Sequence, residues 1–139
     1  MRQLLLLLVA SLVAGCQTPL PPVDPQMAWV DFSTPTPGGK VLMAERLDKQ
    51  RLNDGRYFQV TPGSHELRVR FDFEVFGGGG ALMTGPVERL CYLYIRYDHF
   101  EAGQRYVLEG RSLGFTPSAR LYNAKREIVA EDYDYNCII

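Results

Sequence analysis

From Met27 onward the chain alternates apolar and polar residues with a period of two. The longest case fills residues 67–75, where Leu67, Val69, Phe71, Phe73 and Val75 interleave with Arg68, Arg70, Asp72 and Glu74. Successive side chains of a strand leave opposite faces of the sheet. The segment therefore predicts a strand with one apolar and one charged face, as in an antiparallel sheet covered on one side. The same reading predicts strands over residues 28–32, 41–47, 56–60, 91–97, 105–110, 119–122 and 127–131. Turn chemistry separates them at Asn53-Asp54-Gly55, Pro62-Gly63, Ala102-Gly103 and Asn123-Ala124-Lys125-Arg126. In a Pro-Gly pair the proline presets φ and the glycine takes the positive φ of a type II turn. About seven to eight short strands so punctuated predict an all-β fold, a small antiparallel β-sandwich or barrel. Only residues 42–52, rich in Ala, Glu, Arg, Lys and Gln, carry a competing helical propensity.

The pattern before Met27 is different. Arg2 precedes an apolar run over residues 4–13 interrupted only by Ser11, the anatomy of a secretory signal. The run is about half as long as a helix needs to cross a hydrocarbon core of about 30 Å. It ends in Leu12-Val13-Ala14-Gly15-Cys16, which resembles the lipobox of a bacterial lipoprotein signal peptide. That resemblance implies cleavage after residue 15 and acylation of Cys16. Two acyl chains already hold a protein stably on a bilayer, since each buried methylene contributes about 0.8 kcal/mol. Gln17 and Thr18 follow the cysteine where inner-membrane members of the class often carry an aspartate, so the expected location is the periplasmic leaflet of the outer membrane. A conventional secretory signal is the alternative. Residues 16–26 then comprise the acylated cysteine and a tether whose Pro19, Pro21, Pro22 and Pro25 favour polyproline II. At about 3.1 Å per residue its ten residues after Cys16 reach roughly 30 Å. A proline-motif ligand is the other reading of this segment.

Removing residues 1–15 from the 139 leaves 124, the size of one domain, here residues 27–139. Arg2 leaves with the signal, so 14 of the 15 basic residues face 16 acidic ones, a net charge of about −2. Such a balance argues against nucleic acid as a partner, which asks for a basic patch.

The stretch Val60-Thr61-Pro62-Gly63-Ser64-His65-Glu66-Leu67-Arg68-Val69 resembles the strand, Pro-Gly turn and His-containing strand of PEGA-like bacterial envelope domains. The likeness spans residues 47–71, with an echo at residues 100–106. It implies a transthyretin-like or PEGA-like β-sandwich and carries no catalytic residues.

With Cys16 acylated, Cys91 and Cys137 are left of three cysteines, and an oxidising compartment lets them pair. Cys91 shares the parity of Leu93 and Ile95, which puts it on the buried face. The absence of a C-x-x-C pair argues against redox chemistry. Gly110-Arg111-Ser112-Leu113-Gly114 matches the G-x-S-x-G pattern formally, but a nucleophile elbow requires a strand before it and a helix after it, and Phe115-Thr116-Pro117 follows. His65-Glu66 begins like H-E-x-x-H, yet Val69 holds the second histidine position. We therefore read His65 as structural and expect neither a metal nor another cofactor. His99 beside Asp98 and the acidic residues 131–135 read as solvated surface.

The long segment between the two strongest strands carries Gly77, Gly78, Gly79, Gly80, Leu82 and Met83. Loops of such length in compact domains are functional or disordered, and Leu82 and Met83 are apolar groups available to a partner. Flexible filler is the competing reading. The tyrosines at 92, 94, 97, 106, 122, 133 and 135 divide between core filling and an adhesive surface. Three function classes follow: a non-catalytic binding or assembly module of the cell envelope, with a protein or peptidoglycan partner; a small-ligand carrier with an apolar cavity; and, last, a serine hydrolase using Ser112.

Overall fold

The computed structural model describes residues 18–36, 38–76 and 85–138. Regular structure among them is entirely β, in nine strands: β1 (Ala28–Ser33), β2 (Gly39–Leu47), β3 (Gln50–Arg51), β4 (Phe58–Val60), β5 (Gly63–Val75), β6 (Val87–Phe100), β7 (Arg105–Leu113), β8 (Thr116–Tyr122) and β9 (Ile128–Cys137). They form one sheet in the order β3-β2-β5-β6-β9-β8-β7-β1-β4. The helical alternative for residues 42–52 is excluded: Leu42 and Ala44 are buried on the inner face of β2 while Val41 and Met43 stay exposed. Period two outweighs the helical propensity of single residues here, because burial decides.

The sheet is all-β as expected but mixed. β1 runs parallel to β7, with Trp29 opposite Arg105 and Ser33 opposite Glu109, while every other pairing is antiparallel. The strand count exceeds the expected seven to eight because β3 is only two residues long. β9 joins the two halves of the sheet. Its C-terminal part pairs β6 and its N-terminal part pairs β8, with a register shift in each ladder. Such shifts bend a strand and increase its twist, and the sheet folds over so that its two halves face one another. Gly110 of β7 illustrates the closeness, since a Cβ there would lie 3.3 Å from Leu42 of β2 and 3.3 Å from Phe71 of β5.

One core fills the space between the halves. Leu67, Val69, Phe71, Phe73, Cys91, Leu93 and Ile95 come from one half, and Val30, Phe58, Tyr106, Leu108, Ala119 and Leu121 from the other. Burying a side chain such as Phe71 or Leu108 contributes about 1.5–3 kcal/mol, so the alternation read from the sequence is also what holds the layers together. Trp29 is buried on the opposite face of β1, stacked on Tyr57 with ring centroids 4.3 Å apart.

Candidate binding surface

Two ends of this layered sheet differ in chemistry. At one end the β7–β8 hairpin turns in two residues, Gly114 and Phe115, with Leu113 paired to Thr116. Gly114 has φ +57°, the conformation the first position of a type II′ turn requires. The tip is apolar, where turns are ordinarily polar: Leu113 is 86% exposed and Phe115 45%. Arg89 of β6 places its guanidinium 5.5 Å from the Phe115 ring centre. That contact brings the tip beside the start of β6 and the end of β5, where Val75 pairs with Val87 and Phe76 is 61% exposed. Residues 77–84 connect these strand ends. The Gly77, Gly78, Gly79, Gly80, Leu82 and Met83 of the anticipated partner loop lie outside the described residues, as does the acylation site Cys16. Clustered exposed apolar groups mark interaction surfaces more often than scattered ones do.

The other end is polar. An open cup of about 390 Å³ is lined by Asp48, Lys49, Ser64, His65, Glu66, Arg96 and Asp98. His65, from the resemblance to PEGA-like domains, holds turns together. Its Nδ1 lies 2.6 Å from Asp48 Oδ2, and its Nε2 lies 2.7 Å from the Thr61 carbonyl and 3.0 Å from Thr61 Oγ1. Asp48 Oδ1 also accepts the Glu66 amide at 2.8 Å. Burial pushes the Asp48 carboxyl upward, but the Glu66 amide and the His65 ring outweigh it and hold the group below its ordinary value. The β2–β3 turn is thereby tied to the turn that starts β5. Asp98 accepts the Ser64 hydroxyl at 2.7 Å, while His99 is exposed and packs edge-on against Tyr97.

Ser112 does not stand on an elbow. It lies within β7 opposite Pro117, one residue before the hairpin tip, and the segment that follows is a strand and not a helix. Gly110 serves close packing between layers and Gly114 serves the turn. Among the described residues no group of three or more His, Cys, Asp or Glu side chains is arranged to hold a metal ion. The acidic residues 131–135 belong to β9, where Glu131 pairs with Arg120 at 3.2 Å and Asp132 accepts the Ala119 amide at 2.7 Å. Cys91 and Cys137 are register partners across β6 and β9 and are joined by a disulfide.

The tyrosines divide by face. Tyr106 and Tyr122 are buried, Tyr92 and Tyr94 are half-buried on the outer face of β6, and Tyr133 and Tyr135 are exposed. Sequence reasoning did not single out Glu109, the one buried charged residue among those described, which is bonded to Arg111 and to Arg126, the latter at 3.3 Å. Its parity along β7 placed it on the outer face, and nothing local reveals that two arginines from the β7 and β8–β9 segments cover it. Asp48 was visible only as part of a polar turn. Compared with family models, with curated proteins and with solved structures, the chain matches none.

Proposed function

We propose that the chain is a bacterial envelope lipoprotein, acylated at Cys16 and held on the periplasmic leaflet of the outer membrane, whose β domain is a non-catalytic binding or assembly module. Its partner is an envelope protein or peptidoglycan. The observation that carries the binding role is the apolar end: Leu113, Phe115 and Phe76 are exposed beside the attachment points of residues 77–84. A hairpin tip of Leu-Gly-Phe lowers solubility unless something covers it, because apolar surface left in water forgoes about 25 cal/mol per Å². The aromatic core between the halves and the disulfide fit the same reading, the first because a packed interior suits a scaffold better than a carrier, the second because disulfides persist in the periplasm.

Photocrosslinking in intact cells tests it. A photoreactive residue at position 113 of the full chain is expected to capture one discrete envelope component, and Phe115→Ser should reduce that capture severalfold. The Cys16→Ser form should leave the membrane fraction and lose its acyl mass. Membrane retention of Cys16→Ser, or a crosslinking pattern unaffected by Phe115→Ser, would overturn the anchor or the binding end respectively.

A further inference from the structure

We propose that the outer face of β3, β2 and β5 carries a binding site for a phosphate-type oxyanion, formed by Arg51, Arg46 and Arg68. The sheet register puts these residues abreast: Arg46 is opposite Arg51 on one side and opposite Arg68 on the other. Leu47 and Leu67, the next pair in the ladder, include the fully buried Leu67, so the arginine row projects to the opposite, outer face. Neighbouring strands lie about 4.8 Å apart, so the three arginine side chains rise from adjacent backbones of one face.

Like charges directly opposite each other destabilise a sheet. The other arginines of this face are neutralised: Arg70 pairs with Asp72 and Arg96 with Glu66, each at 2.9 Å. Among the described residues no carboxylate forms an ion pair with Arg46, Arg51 or Arg68, and Glu45 is bulged out of the ladder between Ala44 and Arg46. Arg46 spends one Nη1 on the Lys49 carbonyl, 3.1 Å away.

A second observation points to a missing acceptor. The Nε atoms of Arg46 and Arg68 are shielded from solvent with no hydrogen-bond partner, two of only four such side-chain atoms among the described residues. A shielded donor left unpaired is unfavourable, and here two fall on adjacent members of one row. Arg68 is also pre-oriented, its guanidinium lying 4.3 Å from the Tyr92 ring centre and 5.5 Å from that of Tyr94. A plane fixed by stacking loses less entropy when it binds. Arginine forks match oxyanions in bidentate fashion, and the donors of three arginines on adjacent strands exceed what the two oxygens of one carboxylate can satisfy, whereas a tetrahedral phosphate offers three or more. The group can be free phosphate or the phosphate of a lipid headgroup, and the site does not depend on the anchor at Cys16.

Nitrogen-15 NMR of the full chain reads the arginine Nε–H groups directly. On adding inorganic phosphate at constant ionic strength, the Arg46 and Arg68 Nε–H resonances are expected to move downfield and saturate, with chloride producing no such shift. Arg46→Gln and Arg68→Gln should each weaken the response at least tenfold, and Arg70→Gln, whose parent is already paired, should leave it within twofold. Vesicles of phosphatidylglycerol, against vesicles of phosphatidylcholine, form the second arm. A response to the vesicles alone assigns a lipid headgroup, a response to inorganic phosphate alone assigns a free anion, and both support the site. Shifts no larger than those in chloride in both arms would overturn it, whatever the variants do to folding.

Discussion

Asp48 and Lys49 both take positive φ, 48° and 70°, in the two-residue turn that joins Leu47 to Gln50. This is the type I′ geometry that matches the twist of a hairpin. Asp tolerates it through local hydrogen bonding, and here its side chain accepts from the Glu66 amide and sits against His65. Lys49 has no such compensation for the crowding of its Cβ, which costs roughly 1 kcal/mol in the left-handed region. Lys49→Gly is therefore expected to raise stability by about 0.5–1 kcal/mol, read as a higher urea midpoint at unchanged slope. Gly110 makes the opposite case. Its backbone conformation is ordinary, but a methyl group would meet Leu42 and Phe71 at 3.3 Å from both sides. Overpacking of that kind costs about 1–3 kcal/mol, so Gly110→Ala should lower the midpoint, and an unchanged midpoint would mean that the layers separate more readily than their packing implies.

Among the elements, β1 is held in an unusual way for this sheet, parallel to β7 and clamped from its outer face. Asp31 accepts from Arg105 at 2.7 and 3.1 Å and from the Trp29 indole at 2.9 Å. The Arg105 hydrogen bond holds the Asp31 carboxyl below its ordinary value of 3.8, against the upward push of burial and with help from Trp29. A carboxylate whose folded pKa is depressed stabilises the fold above its unfolded value and loses that contribution as pH falls through the folded value. Stability should therefore decline below about pH 4, and Asp31→Asn should flatten part of that decline in a pH series of thermal melts while leaving pH 7 stability lower. An acid limb of identical slope in the variant would assign the decline to other carboxylates. This element also shows how far the sequence could be read. The run Leu67 to Val75 was legible because burial on one face writes period two directly into the residues. The other strands were legible in place apart from the two-residue β3, although β5, β6, β8 and β9 extend beyond the predicted residues because their ends alternate less regularly. The parallel pairing of β1 with β7 left no local trace, since it joins Trp29 to a partner 76 positions away. The arginine row was hidden for the same reason: Arg46, Arg51 and Arg68 are unremarkable along the chain and become neighbours only through register.

On the scale of the whole molecule, the two halves of the sheet are joined through β9, and the disulfide fastens the half of β9 that pairs with β6. Cys91 is fully buried and Cys137 half-buried, and they are separated by 46 positions in the chain. The bridge thus closes a loop that contains β7 and β8 entirely, so that in the unfolded chain it restrains these two strands, while β1 and β4 of the same half lie outside the loop. The chain-entropy treatment gives roughly 4 kcal/mol for a loop of that length, with about 2–4 kcal/mol typical in practice. Replacement of both cysteines by alanine also removes buried sulfur from beside Leu93 and Phe71, which adds to the loss. We expect the Cys91→Ala, Cys137→Ala form to fold, since the aromatic core does not depend on the bridge, and to melt on the order of 10 °C lower. Hydrogen exchange distinguishes a stapled tail from a stapled joint. If the bridge secures the joint, protection should fall in both ladders of β9, at Leu93 and Tyr94 as well as at Arg120 and Leu121. Loss confined to residues 134–138 would show that β9 is held at its other end by β8 alone, and that the fold-over of the sheet is independent of the covalent bond.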